Sequence, residues 1–418
     1  MIHCSLGIDF GTSGARAIVI NELKEIVYSI DYSFSNLLND NLATVWQKTL
    51  YWLLANIPIE IKRNLKAIAI DGTSPTVLLC NEVGKPLDAP ILYNDDRGKI
   101  VLEQIKNIAP ANHVVISATS SLAKLLWWEQ QPIFTKAVYF LHQADWLSFL
   151  LHGKLGISDY HNAIKLGYDP EILAYPRWLQ NLSCSKLFPQ VIAPGEVISN
   201  ITPEISDRFN LPPDCTVHGG TTDSIGAFLA SGASQPGEAV TSLGSTLVLK
   251  LLSDRPVNDS RYGIYSHRLG NLWLAGGGSN TGGAVLRYFF TDQELINLSA
   301  QIDPNTSSGL EYYPLLKKGD RFPINNPNLS PQLEPRPDNA VTFLQGLLEG
   351  MARIEALGYE TLQELGANKL IRVYTAGGGA KNPTWSAIRQ NYLGVPVIKP
   401  QYTEAAYGTA LLTHLVQN

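Results

Sequence analysis

Leu6-Gly7-Ile8-Asp9-Phe10-Gly11-Thr12-Ser13-Gly14-Ala15-Arg16-Ala17-Ile18-Val19-Ile20 decides how this chain is read. An apolar run ends at a carboxylate, turns through two glycines and two hydroxyls, and resumes as a second apolar run, which is the pattern of a β-hairpin. Gly11 and Gly14 let the backbone come close to a ligand with N–H groups outward, and Thr12 and Ser13 add hydroxyl donors. Both kinds of donor suit phosphate oxygens. Asp9 would repel a phosphate unless a divalent cation lay between them. An ordinary hairpin with an Asx-type turn accommodates the same residues, so this string alone leaves both readings open.

The pattern recurs along the chain. Lys66 to Asp71 reads as a buried strand that ends in Asp71-Gly72-Thr73-Ser74, and Thr76 to Cys80 continues as strand. Cys215 to His218 delivers Gly219-Gly220-Thr221-Thr222-Asp223, with a helix expected over Ser224 to Ser231. Glu238 to Lys250 is again strand, turn and strand, with Gly244-Ser245-Thr246 at the turn, and it mirrors residues 5–20 without the first carboxylate. Leu370 to Tyr374 feeds Gly377-Gly378-Gly379 and a helix from Thr384. Helical spacing marks Leu42 to Ile57 (stopped by Pro58), Ser120 to Gln131, Gln143 to Leu151, Val341 to Leu365 and Glu404 to Leu415, and residues 303–337 read as loop. An internal duplication of one α/β domain is the economical account, with domains at 1–229 and 230–418.

At 418 residues the chain is long for one core, consistent with two domains. Its net charge of −5 comes from 37 acidic and 32 basic residues without a run of like charge, which argues against nucleic-acid and anionic-membrane partners. No apolar stretch reaches the length of a membrane span, and Met1-Ile2-His3-Cys4 enters the first strand at once, so a cytoplasmic protein is expected. The four cysteines are isolated and the eight histidines scattered, which reads as reduced thiols and no protein metal cage.

Repeated glycine turns in two similar halves suggest two lobes gripping a nucleotide. Asp223 then suits a general base on a substrate hydroxyl, although it could equally cap the helix that follows. The triple glycine allows backbone to lie flat against a purine bordered by Asn382 or Trp385, or it is a tight turn. No Gly-x-x-x-x-Gly-Lys-Ser/Thr string occurs, and Gly276-Gly277-Gly278-Ser279-Asn280 lacks the spacing of a dinucleotide fingerprint.

With these motifs, together with Ser158-Asp159-Tyr160-His161-Asn162-Ala163 and Thr375 to Asn382, the chain resembles the FGGY carbohydrate kinases nearly end to end. Within that family it is most similar to the short D-ribulose kinases of cyanobacteria and chloroplasts. The resemblance implies two duplicated RNase H-like domains of the actin, Hsp70 and sugar-kinase kind, with the active-site cleft between them. It implies ATP and Mg²⁺, with Asp9 holding the metal through water, Thr12 and Ser13 meeting the transferring phosphate beside Gly11, and Asp223 as base. Gly244, Ser245 and Thr246 would form the second phosphate turn, and Gly378, Gly379, Asn382 and Trp385 would flank adenosine. Ser74 falls at a sugar-contacting position. Tyr93-Asn94-Asp95-Asp96-Arg97 resembles the family's Trp-x-Asp-x-Arg string, which makes Asp95 and Arg97 sugar-side residues. The expected activity is phosphorylation of the terminal hydroxyl of a ketopentose, D-ribulose to D-ribulose 5-phosphate, by a monomer or small homo-oligomer. The alternatives are a D-xylulose kinase and, more remotely, a sugar or nucleotide sensor.

Overall fold

The computed structural model describes residues 3–34 and 41–415, so Met1 and Ile2 of the opening lie outside it. The chain divides into two compact units, residues 1–230 with 404–418, and residues 231–403.

In the first unit the opening hairpin forms as read, with β1 (Cys4–Phe10) antiparallel to β2 (Gly14–Asn21) and β2 antiparallel to β3 (Ile26–Ser33). The apolar run Leu65–Gly72 is β4, parallel to β1. Its residues from Ala67 to Gly72 are all buried, as expected of a central parallel strand covered on both faces. Two small pairs lie apart from the main sheet: β5 (Val77–Cys80) with β6 (Tyr139–His142), and β7 (Ile157–Asp159) with β8 (Gln190–Ile192). β9 (Val197–Asn200), β10 (Thr216–His218) and the two-residue β11 (Thr221–Thr222) complete the main sheet in the order β3-β2-β1-β4-β10-β9, with β11 also on β4.

The second unit repeats this plan. β12 (Glu238–Leu243) and β13 (Leu247–Ser253) form its hairpin, followed by β14 (His267–Leu269), β15 (Leu272–Ser279), β16 (Arg372–Ala376) and β17 (Val397–Ile398). The order is β14-β15-β13-β12-β16-β17, with β12 antiparallel to β13 and parallel to β16. An antiparallel meander that passes into parallel strands therefore occurs in both units, which is the expected duplication. Gly276, Gly277, Gly278 and Ser279 lie inside β15, a strand that the sequence reading did not assign. The long amphipathic segment forms one helix, Ala340–Glu364, whose apolar side fills the core of this unit.

One boundary differs from the reading. The terminal helix Ala405–Leu415 was expected to close the second domain, but it groups with the first unit. Its small residues explain this. Gly7 on β1 lies so close that a Cβ there would come within 2.0 Å of the Ala406 carbonyl and 2.4 Å of the Ala410 nitrogen. Thr413 donates to Ser5 across 2.9 Å, and the Tyr407 hydroxyl donates to the Lys24 carbonyl at 2.9 Å. Residue spacing reveals that this helix has a small face, but not which surface the face covers.

The nearest atoms a Cβ on Gly7 would meet are all backbone of the terminal helix, so no side chain can yield. Gly7→Ala should cost about 3 kcal/mol or more, read as a lowered midpoint in denaturant unfolding. An unchanged midpoint would show that the terminal helix is not held against β1.

Candidate active site

The carboxylates singled out in the sequence converge in the first unit. Asp9 on β1 and Asp71 on β4 are direct partners in the parallel register. Each has a buried Oδ1 with no hydrogen-bond donor. Asp71 is fully buried, and its Oδ2 accepts from the Thr409 hydroxyl of the terminal helix. Burial pushes the Asp71 carboxyl well above the ordinary aspartate range, and the neighbouring charges of Asp9 and, to a lesser degree, Asp223 push the same way. Asp9 is also raised by burial, although its hydrogen bond with Asp71 and the Arg16 charge work against the shift. Buried acceptor oxygens without a donor, on directly paired residues, require a proton or a cation. Both orphaned oxygens therefore fit a divalent cation.

The turn that follows Asp9 is closed by the Gly11 N–H on the Gly14 carbonyl at 3.0 Å, and it leaves Thr12 and Ser13 exposed. Asp223 begins the helix Asp223–Ala230, one residue earlier than expected. Its Oδ1 accepts from the Ser224 N–H at 2.6 Å.

Ser74 follows β4, and the loop around it is tied down by groups that the sequence reading passed over. Lys124, fully buried in the helix Ser121–Glu129, donates to the Pro75 and Leu92 carbonyls at 2.7 Å each. It thereby joins the Ser74 loop to the loop carrying Asp95 and Arg97. Burial pushes its ammonium down to about 7. Lys165 donates to the Ser74 carbonyl at 3.1 Å. Asp95 and Arg97 form a two-pronged ion pair, with Nε to Oδ1 at 2.9 Å and Nη2 to Oδ2 at 2.7 Å, and the guanidinium stacks 4.6 Å over Trp127. The only prior sign of Lys124 was a lone cation within Ser-Leu-Ala-Lys-Leu-Leu-Trp-Trp.

In the second unit the turns at 244–246 and 377–379 sit at the ends of neighbouring strands, since Ser242 pairs with Ala376. The Gly244 N–H closes its turn on the Thr246 carbonyl at 3.2 Å, a closure one residue tighter than that of Gly11 on Gly14, and Ser245 is exposed. Arg287, which the sequence reading missed, donates to the Ser245 hydroxyl at 3.0 Å and places a cation at this turn. Asn382 caps the helix Pro383–Leu393 by accepting from the Trp385 N–H at 3.0 Å. Trp385, expected beside the base, is instead in the core at 2% exposure, because its place in the first turn of that helix directs the indole inward. A Cβ on Gly379 would meet Trp385 and Leu243 at 2.6 Å, while Gly378 faces open space.

Residues 4–230 match the N-terminal domain of the FGGY family of carbohydrate kinases, and residues 239–415 match its C-terminal domain. The chain belongs to the FGGY family. Among curated relatives, this FGGY kinase is 22% identical to a xylulose kinase of Staphylococcus epidermidis, over 97% of this chain and 86% of that one. It is 23% identical to a gluconokinase of Bacillus subtilis, over 99% and 87%. Among solved structures, a gluconate kinase from Lactobacillus acidophilus shares the fold with a TM-score of 0.83 at 18% identity, over 100% of this chain and 90% of that one. Membership makes the protein a phosphotransferase with a carbohydrate hydroxyl as acceptor and ATP as donor. Among the described residues no helix is long and apolar enough to cross a membrane.

The Asp71 shift sets a pH dependence. A carboxyl raised in the folded state keeps a proton that the unfolded chain releases. Its contribution to stability is complete below the ordinary aspartate pKa and is lost as pH rises toward the folded value. Asn has no such loss. Without metal or nucleotide, Asp71→Asn should gain in melting temperature over the parent as pH rises from about 4 to neutrality. A gap independent of pH would mean that Asp71 is not protonated in the native protein.

Proposed function

We propose that this FGGY kinase phosphorylates the terminal hydroxyl of a free ketopentose, with D-ribulose giving D-ribulose 5-phosphate. The observation that carries the kinase chemistry is the paired Asp9 and Asp71 in register, with Asp223 within electrostatic reach. Ketopentose as the substrate class rests on the resemblance of the sequence motifs. D-xylulose, an epimer at one hydroxyl, is the second reading, because xylulose kinases are among the relatives.

Asp9, supported by Asp71, would hold Mg²⁺, which supplies positive charge against the β- and γ-phosphates. Thr12 and Ser13, with the N–H groups of their turn, hold the γ-phosphoryl oxygens. Gly244, Ser245 and Thr246, with the Arg287 cation behind Ser245, serve the remaining phosphates. Gly378, Gly379 and Asn382 border adenosine, and Trp385 supports Gly379 from below. Ser74 meets the sugar, on a loop that Lys124 and Lys165 hold by its carbonyls. A sugar hydroxyl is not ionised near neutrality, so its proton must leave as the bond to phosphorus forms, and Asp223 accepts it.

The first test is ADP release with D-ribulose, D-xylulose, D-gluconate, glycerol or no sugar. D-Ribulose should give the highest kcat/KM, and a better turnover of any other acceptor would overturn the substrate assignment. Asp223→Asn keeps shape and hydrogen bonding but accepts no proton. It should lower sugar phosphate formation by about 10²–10⁴ while ATP binding stays near normal, and wild-type turnover would remove Asp223 from the mechanism.

On the nucleotide side the two glycines should separate. Gly378→Ala adds a methyl only to open space, so it should weaken ATP affinity in calorimetry with little change in melting temperature. Gly379→Ala strikes Leu243 and Trp385 and should lower the melting temperature by itself. Unchanged ATP affinity in Gly378→Ala would leave the triple glycine as a turn and nothing more.

A further inference from the structure

Ser158-Asp159-Tyr160-His161-Asn162-Ala163 supplies none of the groups assigned above to phosphate, sugar or base, yet it is almost wholly buried. β7 ends at Asp159 and passes directly into the helical turn Tyr160–Ala163. Asp159 Oδ1 accepts from the backbone N–H groups of His161 and Asn162 at 2.8 and 3.0 Å, and Oδ2 accepts from Asn162 Nδ2 at 2.7 Å. The same Asn162 nitrogen also donates to the Thr221 carbonyl at 3.1 Å. His161 Nδ1 lies 2.7 Å from the Thr221 hydroxyl. Asp159, His161, Asn162 and Thr221 are each no more than 1% exposed.

Thr221 opens β11, whose two residues lead directly into Asp223. β11 pairs with β4 at Asp71 and Gly72, and just before it Gly220 approaches β4 so closely that a Cβ would come within 2.1 Å of the Ile70 carbonyl. Two paired residues form a short ladder, so contacts from outside the sheet have a large part in fixing this backbone. The amide at position 162 suits this place, because its one nitrogen gives protons to both a carboxylate and a carbonyl. A carboxylate has no proton for either. Alanine would leave Asp159 Oδ2 and the Thr221 carbonyl without this donor in a dry interior.

We infer that Asn162, together with His161, is a positioning residue for Asp223, holding through Thr221 the strand that aims the carboxylate at the acceptor hydroxyl. The inference rests on the reading of Asp223 as the base. General-base catalysis depends steeply on reach and angle, and none of the residues assigned above to the nucleotide lies on this strand. The expected signature is therefore a loss in kcat with the KM for ATP preserved, which general destabilisation would not produce.

The experiment is a double-mutant cycle on purified protein, assayed well below each variant's melting temperature. Asn162→Ala should lower kcat about 10- to 100-fold, with the KM for ATP within about twofold of the parent. In the Asp223→Asn background, Asn162→Ala should cause no further loss, since there is no base left to aim. Thr221→Val removes the hydroxyl that meets His161 but keeps the shape and the carbonyl. It should give a smaller loss in kcat, and it carries the test alone if Asn162→Ala does not fold. Wild-type kcat in the folded variants, or an Asn162→Ala loss that multiplies in full onto Asp223→Asn, overturns the inference. Full turnover by Asp223→Asn would instead overturn the base assignment itself, so the two failures are distinguishable.

Discussion

Two carboxylates side by side in a parallel sheet are the constraint on which the rest of the first unit depends. Asp71 is fully buried, and its sheet partner is another acid. Burying one unpaired charge is costly, and burying two like charges in contact is worse, so one proton or one cation must stay between them. The surroundings are built to hold Asp71 there. The Thr409 hydroxyl donates to it, and Gly226 and the terminal helix close over it. This arrangement ties residues more than 300 positions apart to one carboxylate and explains why the end of the chain groups with its beginning.

Duplication then shows what the second copy gave up. Where the first hairpin has Asp9 two residues before its turn, paired with Asp71, the second has Ser242 paired with Ala376. A glycine–hydroxyl turn is kept, one residue shorter, while the acids are gone, and Arg287 adds a cation in their place. A turn without carboxylates accepts anionic phosphate oxygens directly, whereas the first needs positive charge beside it. The second unit also buries an ion pair of its own. Glu355 and Arg389 form a two-pronged pair at 2.6 and 2.7 Å, and they also bond Thr241 of β12 and Thr375 of β16. The strands that carry both turns of this unit are thus joined through one buried ion pair.

Much of this was legible in the residues themselves. Apolar runs broken by glycine and hydroxyl turns determine the hairpins, the strands that carry Asp9, Asp71, Ser242 and Gly377, and the repeat of one plan in two units, because such runs must be buried and such turns must leave the sheet. Side-chain chemistry at the strand ends likewise points to phosphate, since N–H groups, hydroxyls and a cation-demanding acid suit little else. What spacing could not supply is the partner of each buried polar group. Lys124 reads as one residue of an apolar helix, Trp385 as an available aromatic, and Asn162 as one letter of a motif. Only the packed chain shows the first holding two loop carbonyls, the second in the core, and the third gripping Thr221. Local sequence decides which groups need hydrogen bonds, but contacts across 49, 59 or 338 positions decide where they find them, and those depend on how helices and sheets pack rather than on any period in the chain.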